Sequence, residues 1–494
     1  GTALVITNRF QQAAQRGSLT VGGDLTFSAF ASGGAGSVAG TSRLSGDVVD
    51  IEVVNSTLSA TNLALFAEAD TVEPQSLPSF LSLTGSSANL SGSLLIGTPG
   101  DFSLNLDQSS FTASAVSISA GNWVLPSTTP PATFGTLTGT GALSLSSGRD
   151  LVGYANLSTQ GPLSLQALGR IEFGSLFSLG AMDLTAGGTV TLRDAQSGSS
   201  IEILAQGAVV TANLTATNSI SIEANGNVTT ANLAAGTGTP SGSNGDLYSI
   251  GINANGNVTT GSIFAASDLG IAATANIATG NARAFDTLLL ARGNVAVDSM
   301  NTVNRSLIAN VTMAALGQTA TGFDKELVFA AVPRSTAGSV SLANVSNVGS
   351  LNIAAGTTVT TGNVFAGGRI GVMGTGNLAF GTLSSQSDRI ELFSRAGTIS
   401  AATLGSSSDI LVSGASGLSL GTVRGRDVAL ISGGDISVQV ALAGAIFDPQ
   451  TNQLVNAVGR LLIGNSSMLP VTAIPGSRPL PSARAAMPLS AMPA

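Results

Sequence analysis

The residues of this chain that could carry out acid–base or metal chemistry are carboxylates near its start. They form two groups of three, namely Asp47, Asp50 and Glu52, and then Glu68, Asp70 and Glu73. Paired carboxylates can cleave glycosidic bonds, and clustered carboxylates can bind calcium. Asp50 and Glu52 lie two positions apart in an alternating apolar segment, which places both on one outward face of a strand. Because carboxylates on such a face serve solubility, we favour a structural role over catalysis.

The residue types that are absent narrow the chemistry further. The 494 residues include no His and no Cys. This excludes a Ser-His-Asp triad, a cysteine nucleophile, disulfides, and zinc bound by imidazole or thiolate. We therefore expect no enzyme activity, and no catalytic, cofactor-binding or metal-binding residue.

The charge balance also bears on partners. The 27 acidic residues outnumber 19 basic ones, and the basic residues are scattered singly. Nucleic-acid binding needs a basic patch, so no nucleic-acid partner is expected. No apolar run reaches the roughly 18–20 residues of a membrane helix, so no membrane span is expected either.

Three further groups of polar residues can be interpreted either as structural features of corners or as binding sites. Two are mixed-charge groups, Asp388-Arg389-Glu391 and Arg424-Arg426-Asp427, which fall between apolar segments. Local ion pairs at corners are the ordinary interpretation, and a ligand site is the alternative. The third is the Asn-Gly-Asn sequence at 225–227, repeated at 255–257. It predicts turn corners with stacked amides, with a polar site as the alternative.

Internal repeats show which elements must position these groups. Residues 221–236, 251–266 and 351–368 share one unit: a short apolar strand, a Gly/Asn corner, a Val-Thr-Thr strand and a small-residue corner. Later units open at positions 19, 20, 20 and 18 residues apart, at Leu351, Ile370, Ile390, Ile410 and Val428. We predict that these five residues form an inward core ladder. Ile201 and Ile220 are also 19 residues apart, as are Leu269 and Leu288.

Coils of this length predict the fold. About 20 residues with two or three short strands close into one turn of a parallel β-solenoid, and each turn stacks on the last at the ~4.8 Å strand spacing. We therefore predict an all-β, elongated parallel β-helix with apolar residues inside and Gly or Asn at the corners.

The rhythm of the repeat divides the chain. Residues 1–180 are predicted to be an irregular β-helix portion. Residues 181–464 are predicted to be a regular shaft with insertions near 237–249 and 313–340, and 465–494 a Pro-rich extended tail. The second insertion carries the charged triplet Asp324, Lys325 and Glu326, which we predict to protrude as a loop. The tail is predicted to link subunits or to be an ordinary spacer; its candidate linking residues are Leu469, Val471, Ile474 and Leu480.

The units of the form Gly-Asn-Val-Thr-Thr-(Gly/Ala)-Asn-(Leu/Val)-x-Ala-Gly resemble the shaft repeats of filamentous-haemagglutinin-like bacterial exoproteins. The resemblance covers about 180–440. It implies a right-handed β-helix, an extracellular or cell-surface location, an outer-membrane secretion partner, and roles in adhesion, aggregation or biofilm. The Asn-Pro-Asn-Gly signature of that family's secretion domain is missing, since Asn-Pro occurs nowhere. This departure favours either a matured shaft or a relative built into a different surface assembly.

Three functions follow as hypotheses. The favoured one is a non-enzymatic, secreted structural rod, which is the shaft of a bacterial surface adhesin or the subunit of an extracellular fibre or biofilm matrix. Its expected partners are other copies of the chain and cell-surface or matrix glycans. The alternatives are a β-helical polysaccharide lyase or hydrolase, and a self-assembling filament protein with no host ligand.

Overall fold

The computed structural model describes residues 3–7, 17–20, 25–31, 49–54, 56–69, 79–84, 87–106, 109–125, 134–236, 249–312, 337–447, 454–456 and 459–465. Most of both predicted insertions (237–248 and 313–336) and the tail from residue 466 lie outside these ranges. The chain divides into two compact units, Gly1–Gly338 and Ser339–Ala494.

The described residues form strands and no helix. They build a parallel β-solenoid of about 16 turns with coils of about 19 residues. The predicted all-β solenoid fold is therefore confirmed.

The first unit begins with wider coils than the repeat predicts. Its first strands are β1 (Ala3–Thr7), β2 (Gly17–Thr20), β3 (Leu25–Ala31), β4 (Val49–Val54), β5 (Ser56–Ala60), β6 (Leu63–Ala69), β7 (Ser79–Thr84), β8 (Ser87–Leu90), β9 (Ser93–Asn105), β10 (Ser110–Ala113) and β11 (Ala115–Trp123). Leu58 pairs with Ala88, 30 positions later, and Leu63 pairs with Leu94. Each of these coils needs the extra residues because it carries a third full strand.

A wider coil encloses more volume, and large aromatic side chains fill it. Trp123 packs edge-on against Phe102, with ring centroids 4.5 Å apart, and against Phe173 on its other side. Its indole N–H donates to the carbonyl oxygen of Ser146 at 3.2 Å. Trp123 and Phe102 are fully buried, so these aromatic rings form the core at this end of the unit.

The next coils shorten toward the repeat length. Their strands are β12 (Gly135–Gly139), β13 (Leu143–Ser147), β14 (Leu151–Val152), β15 (Ala155–Thr159), β16 (Leu163–Ala167), β17 (Ile171–Glu172), β18 (Leu176–Ser178), β19 (Met182–Ala186), β20 (Val190–Thr191) and β21 (Asp194–Ser197). Leu143 pairs with Leu163, which pairs in turn with Met182. The third strand is reduced to two residues here, and the spacing falls to 20 and then 19.

The last coils of the first unit are regular. Their strands are β22 (Ile201–Ala205), β23 (Val209–Ala216), β24 (Ile220–Ala224), β25 (Val228–Ala235), β26 (Ile250–Ala254), β27 (Val258–Ala265), β28 (Leu269–Ala273), β29 (Ile277–Ala284), β30 (Thr287–Ala291), β31 (Val295–Thr302) and β32 (Ser306–Asn310). Short strands of five residues pair with short strands, and long strands of eight with long ones. The long strands bend at their fourth residue. At Gly261 a side chain would overlap the carbonyl oxygen of Ala231 in the previous coil, which explains the small residue there.

The spacing of 19 residues makes Ile201 and Ile220 register partners but not Leu269 and Leu288. Leu269 pairs with Thr287, and Leu288 pairs with Gly270 instead. Only Phe285 and Asp286 separate β29 from β30, whereas three residues separate β27 from β28. A shift of one residue changes the face of a strand on which a side chain lies, so Leu288 lies on the opposite face of β30 from Thr287, and it is 1% exposed there. Thr287 takes the inward position, where its hydroxyl lies 2.8 Å from that of Thr302.

The long strands of the first unit place a column of threonines in the core. Thr211, Thr230, Thr260 and Thr279 follow one another in register. All four are buried, and none of their hydroxyl oxygens has a hydrogen-bond partner. Each hydroxyl is therefore removed from water with no hydrogen bond in return.

The second unit repeats the regular coil. Its strands are β33 (Val340–Asn347), β34 (Leu351–Ala354), β35 (Val359–Ala366), β36 (Ile370–Gly374), β37 (Leu378–Ser385), β38 (Ile390–Ser394), β39 (Thr398–Ser406), β40 (Ile410–Gly414), β41 (Gly417–Gly425), β42 (Val428–Ser432), β43 (Asp435–Ala443), β44 (Ala445–Phe447), β45 (Leu454–Asn456) and β46 (Leu461–Asn465). The ladders end with β43 on β41 and β46 on β42. Between these two end strands, β44 and β45 pair as an antiparallel hairpin.

Candidate functional site: charged and amide ladders between coils

The five residues of the predicted core ladder lie in one register. Each pairs with the next through the parallel short-strand ladder, in the order Leu351, Ile370, Ile390, Ile410 and Val428. Every one of them is buried. Their role is packing, because apolar side chains at this depth support only the coils above and below.

Several other predicted residues cannot be placed in the same way. Asp324, Lys325 and Glu326 lie outside the described residues, as do the tail residues Leu469, Val471, Ile474 and Leu480. The same holds for the carboxylates Asp47, Asp70 and Glu73. Asp50 and Glu52 lie on β4, where they pair with Phe80 and Ser82 of the next coil. Their positions two residues apart place them on one face of that strand.

A charged ladder that sequence inspection missed lies at one corner of the first unit. Asp268 Oδ1 accepts a hydrogen bond from the backbone N–H of Asp286 at 3.1 Å. Asp286 Oδ1 in turn accepts from the backbone N–H of Arg305 at 2.7 Å. The guanidinium of Arg305 lies 3.3 Å from Asp286 Oδ2. The signal in the sequence was the spacing of 18 and 19 residues, which equals one coil.

The same relay occurs earlier in this unit, on the surface. The backbone N–H of Arg170 donates to Asp150 Oδ1 at 3.0 Å, and its guanidinium lies 3.2 Å from Asp150 Oδ2. The guanidinium also lies 3.4 Å from Glu172. Asp150 and Arg170 are both more than 40% exposed at the side chain, whereas the Asp286 side chain is only 3% exposed. The same hydrogen-bonding pattern therefore occurs both at the solvent-exposed surface and in a buried position.

The second unit contains a buried carboxylate between two arginines. Glu391 lies on the outer face of β38 and is 3% exposed. Arg389 Nε lies 3.0 Å from its Oε1, and Arg369 of the previous coil forms an ion pair with its Oε2. The predicted grouping with Asp388 is incomplete, because Arg369 comes from 20 positions before Arg389. Sequence neighbours alone could not reveal it.

The other mixed-charge group also pairs across coils. Arg426 binds Asp409 through Nη2 at 2.8 Å and through Nε at 3.1 Å. Asp427 Oδ1 accepts from the backbone N–H of Arg460 at 2.9 Å. The first contact is a corner ion pair, as in the ordinary interpretation, and the second is a hydrogen bond from the backbone; both join neighbouring coils.

Amide side chains form ladders at the exposed corners of the first unit. Asn255 Nδ2 donates to Asn225 Oδ1 at 2.7 Å. Asn227 Oδ1 accepts from the backbone N–H of Asn257 at 2.8 Å, and Asn257 Oδ1 accepts from Asn276 Nδ2 at 2.9 Å. Stacked amides at the two Asn-Gly-Asn corners therefore join neighbouring coils.

A second amide ladder runs along the long strands. Asn232 Nδ2 donates to Asn213 Oδ1 at 2.7 Å, and Asn213 Nδ2 donates to Asp194 Oδ1 at 2.6 Å. In both amide ladders a side-chain oxygen of one coil accepts a hydrogen bond from the next coil. The hydrogen bonds of these ladders join neighbouring coils.

The carboxylates that these ladders bury are poorly placed for catalysis. A general acid or nucleophile must reach the substrate within hydrogen-bond distance. Asp268 and Asp286 are 0% and 2% exposed, and the oxygens of Asp286 are bonded to Arg305. Within the described ranges, no three His, Cys, Asp or Glu side chains come together in a way that could hold a metal ion. Nor does that part of the chain include a helix with the length and apolar character needed to cross a membrane.

Comparison with known proteins gives no further assignment. No family model matches this chain, and no match was found among the curated proteins or the solved structures. What the chain is can therefore be stated at the level of the fold: it is a β-helical protein with a parallel β-solenoid.

Proposed function

We propose that this chain is a non-enzymatic structural rod, acting as the shaft of a bacterial surface adhesin or as a subunit of an extracellular fibre or biofilm matrix. The single observation that carries the proposal is the use of its charged side chains. Asp268, Asp286 and Glu391 are buried and bonded to donors of adjacent coils or strands. Carboxylates used in this way stabilise the stacking of coils.

The repeat supports the class of protein. Its Gly/Asn corners and Val-Thr-Thr strands resemble the shafts of filamentous-haemagglutinin-like exoproteins, and the coil geometry suits such a shaft. The secreted, cell-surface location, the outer-membrane secretion partner and the binding of surface or matrix glycans are parts of this proposal. They follow from the resemblance.

The main competing function is that of a β-helical polysaccharide lyase or hydrolase. Its best candidate groups among the described residues are the exposed Asp150 and Glu172, which share Arg170. The test is to incubate the purified chain with a panel of acidic and neutral polysaccharides and to measure chain length and reducing ends. We expect no cleavage by the wild-type chain.

A matched variant makes that test decisive. If cleavage occurs and Asp150→Asn or Glu172→Gln abolishes it while the fold is retained, the structural proposal is wrong. In parallel, glycan-array binding and bacterial aggregation assays with the same preparation test the adhesive role. If the chain binds neither glycans nor cells, the adhesin role is excluded and the role as a fibre subunit remains.

A further inference from the structure

Two corners of the first unit carry the same seven residues in different surroundings. Residues 224–230 and 254–260 both read Ala-Asn-Gly-Asn-Val-Thr-Thr, and in each the first Asn is exposed. A third Asn-Gly pair, at 244–245, lies outside the described residues. An Asn followed by Gly readily loses its side-chain amide, because Gly has no side chain to keep its backbone nitrogen away from the carboxamide. Identical sequences have the same intrinsic reactivity, so any difference between Asn225 and Asn255 in the folded chain comes from the structure.

The first difference lies at the backbone nitrogen that would attack the carboxamide. The N–H of Gly226 donates to the carbonyl oxygen of Gly207 in the previous coil at 3.0 Å. At the second corner, no group among the described residues accepts a hydrogen bond from the N–H of Gly256. The nitrogen of Gly226 must therefore give up a hydrogen bond before it can react, whereas the nitrogen of Gly256 is already available.

The second difference lies at the carboxamide itself. Asn225 is held at both ends, since its Nδ2 donates to Gln206 Oε1 and its Oδ1 accepts from Asn255 Nδ2 at 2.7 Å. Asn255 is held at Nδ2 alone, because none of the described groups donates to its Oδ1. In the parallel ladder, by contrast, Asn257 Oδ1 accepts from Asn276. Asn255 is thus the last member of its ladder, and its carboxamide can turn toward the backbone with the loss of one hydrogen bond.

We propose that Asn255 is a site of spontaneous deamidation in the folded chain and that Asn225 is protected. The backbone nitrogen of Gly256 gives its proton to hydroxide and attacks Cγ of Asn255, which forms a five-membered succinimide ring. The bond from Cγ to Nδ2 breaks, and Nδ2 leaves as ammonia after taking a proton from water. A second water then opens the ring: its oxygen bonds to one of the two ring carbonyl carbons, and a proton goes to the ring nitrogen. The product is an aspartate or an isoaspartate at position 255.

The reaction changes the joint between two coils. In the intact chain, Asn255 Nδ2 donates to Asn225 Oδ1. After deamidation a carboxylate oxygen faces the same Oδ1, so two acceptors oppose each other without a hydrogen between them. An isoaspartate also lengthens the backbone, at a corner where a carbon added to Gly256 would lie only 2.9 Å from the carbonyl carbon of Gly226. The modified chain therefore loses one of the amide links that hold the coil of β26 and β27 on the coil before it.

The identical sequences of the two corners provide the control for a direct test. The purified full chain is incubated at mildly alkaline pH, which favours loss of the peptide proton, once folded and once unfolded in urea. Chymotrypsin can cut after Leu233 and Tyr248, so the two sites fall in separate peptides. Tandem mass spectrometry measures the conversion of each Asn over time, and an unincubated sample corrects for conversion during digestion.

The expected result is a difference that exists only in the folded chain. When the chain is folded, Asn255 should convert roughly tenfold faster than Asn225, which corresponds to about 1.4 kcal/mol in activation free energy. In urea the two rates should be equal. The proposal is overturned if the folded chain converts both residues at the same rate or converts Asn225 faster. It is also overturned if Asn255 stays intact in the folded chain while it converts in urea.

A second measurement tests the effect on the joint between coils. Asn255→Gln is the matched variant, because its longer side chain closes the ring with the next nitrogen far more slowly. Hydrogen exchange is followed in β26 and β27 before and after the same incubation. Aged wild-type chain should exchange faster in these strands than fresh chain, whereas aged and fresh Asn255→Gln should exchange alike. Equal acceleration in the variant would show that the loosening does not arise at Asn255 and would overturn the role given to its amide link.

Discussion

Arg305 binds the carboxylate of Asp286 twice, through its backbone N–H at 2.7 Å and through its guanidinium at 3.3 Å, across a separation of 19 residues in the chain. Arg170 binds Asp150 in the same way, and these two residues are 20 positions apart in the chain. The two pairs differ in exposure, and Arg170 additionally pairs with Glu172, so substitutions in both pairs can measure what burial adds to this bonding pattern.

The first prediction compares these pairs by substitution. Asp286→Ala should lower the free energy of unfolding by about 1.5–3 kcal/mol, the usual range for a hydrogen bond to a charged group. Asp150→Ala should cost at most about 1 kcal/mol, because water screens an exposed pair. Urea unfolding followed by circular dichroism measures both. Equal losses for the two variants would show that burial does not strengthen the relay.

The second prediction concerns the core ladder at Ile390. Ile390→Ala should cost about 2–5 kcal/mol, because it leaves a cavity between Ile370 and Ile410. Ile390→Asp should cost more, since it buries an unpaired charge. Damage should begin in the adjacent coils, which hydrogen exchange can locate.

The control for the core ladder is Thr360→Ala, on an outward position of β35. It should change the unfolding midpoint little. A wild-type midpoint for Ile390→Asp would contradict the inward assignment of that residue.

The third prediction concerns the buried threonine column. Thr230→Val keeps the shape of the side chain and removes a hydroxyl that has no partner. Burying such a group costs about 1–3 kcal/mol, so the variant should be as stable as the wild type or more stable. Thr229→Val, on the exposed face of the same strand, is the matched control. A clear loss of stability specific to Thr230→Val would mean that a bound water satisfies the column.

The fourth prediction tests the protruding loop. Lys325 is the only lysine of the chain, so a lysine-specific protease has a single possible site. We expect the folded protein to be cut there rapidly into two fragments, since a loop that leaves the shaft is accessible to a protease. Mass spectrometry identifies the products. Resistance of the native chain, with cleavage only after denaturation, would place Lys325 inside a packed coil.

The fold was predictable because its information is local and periodic. Alternation within each strand and a spacing near 20 were enough to align Leu351, Ile370, Ile390 and Ile410. The same spacing does not align Leu269 with Leu288, because the corner before β30 is one residue shorter and Thr287 takes the position opposite Leu269.

The charged ladders were harder to predict. Glu391 was grouped with its neighbours in sequence, but one of its partners is Arg369 of the previous coil. Asp286 and Arg305 are separated by one coil length, so searching for opposite charges at the period of the repeat would have found them. The three-strand coils at the start have no such signal, because their repeat is too irregular to set a register.

The Asn and Asp ladders of the first unit also have a direction. Asp194 accepts from Asn213, Asn213 accepts from Asn232, and Asp286 accepts from Arg305, so in these ladders the earlier coil offers the oxygen and the later coil brings the hydrogen. A ribosome releases the earlier coil first. Each newly emerging coil therefore meets acceptors already in place on a completed template, and the stack can grow in the order of synthesis. If the chain were synthesised in the opposite order, each coil would present its donor groups before the coil with the accepting oxygens had been made.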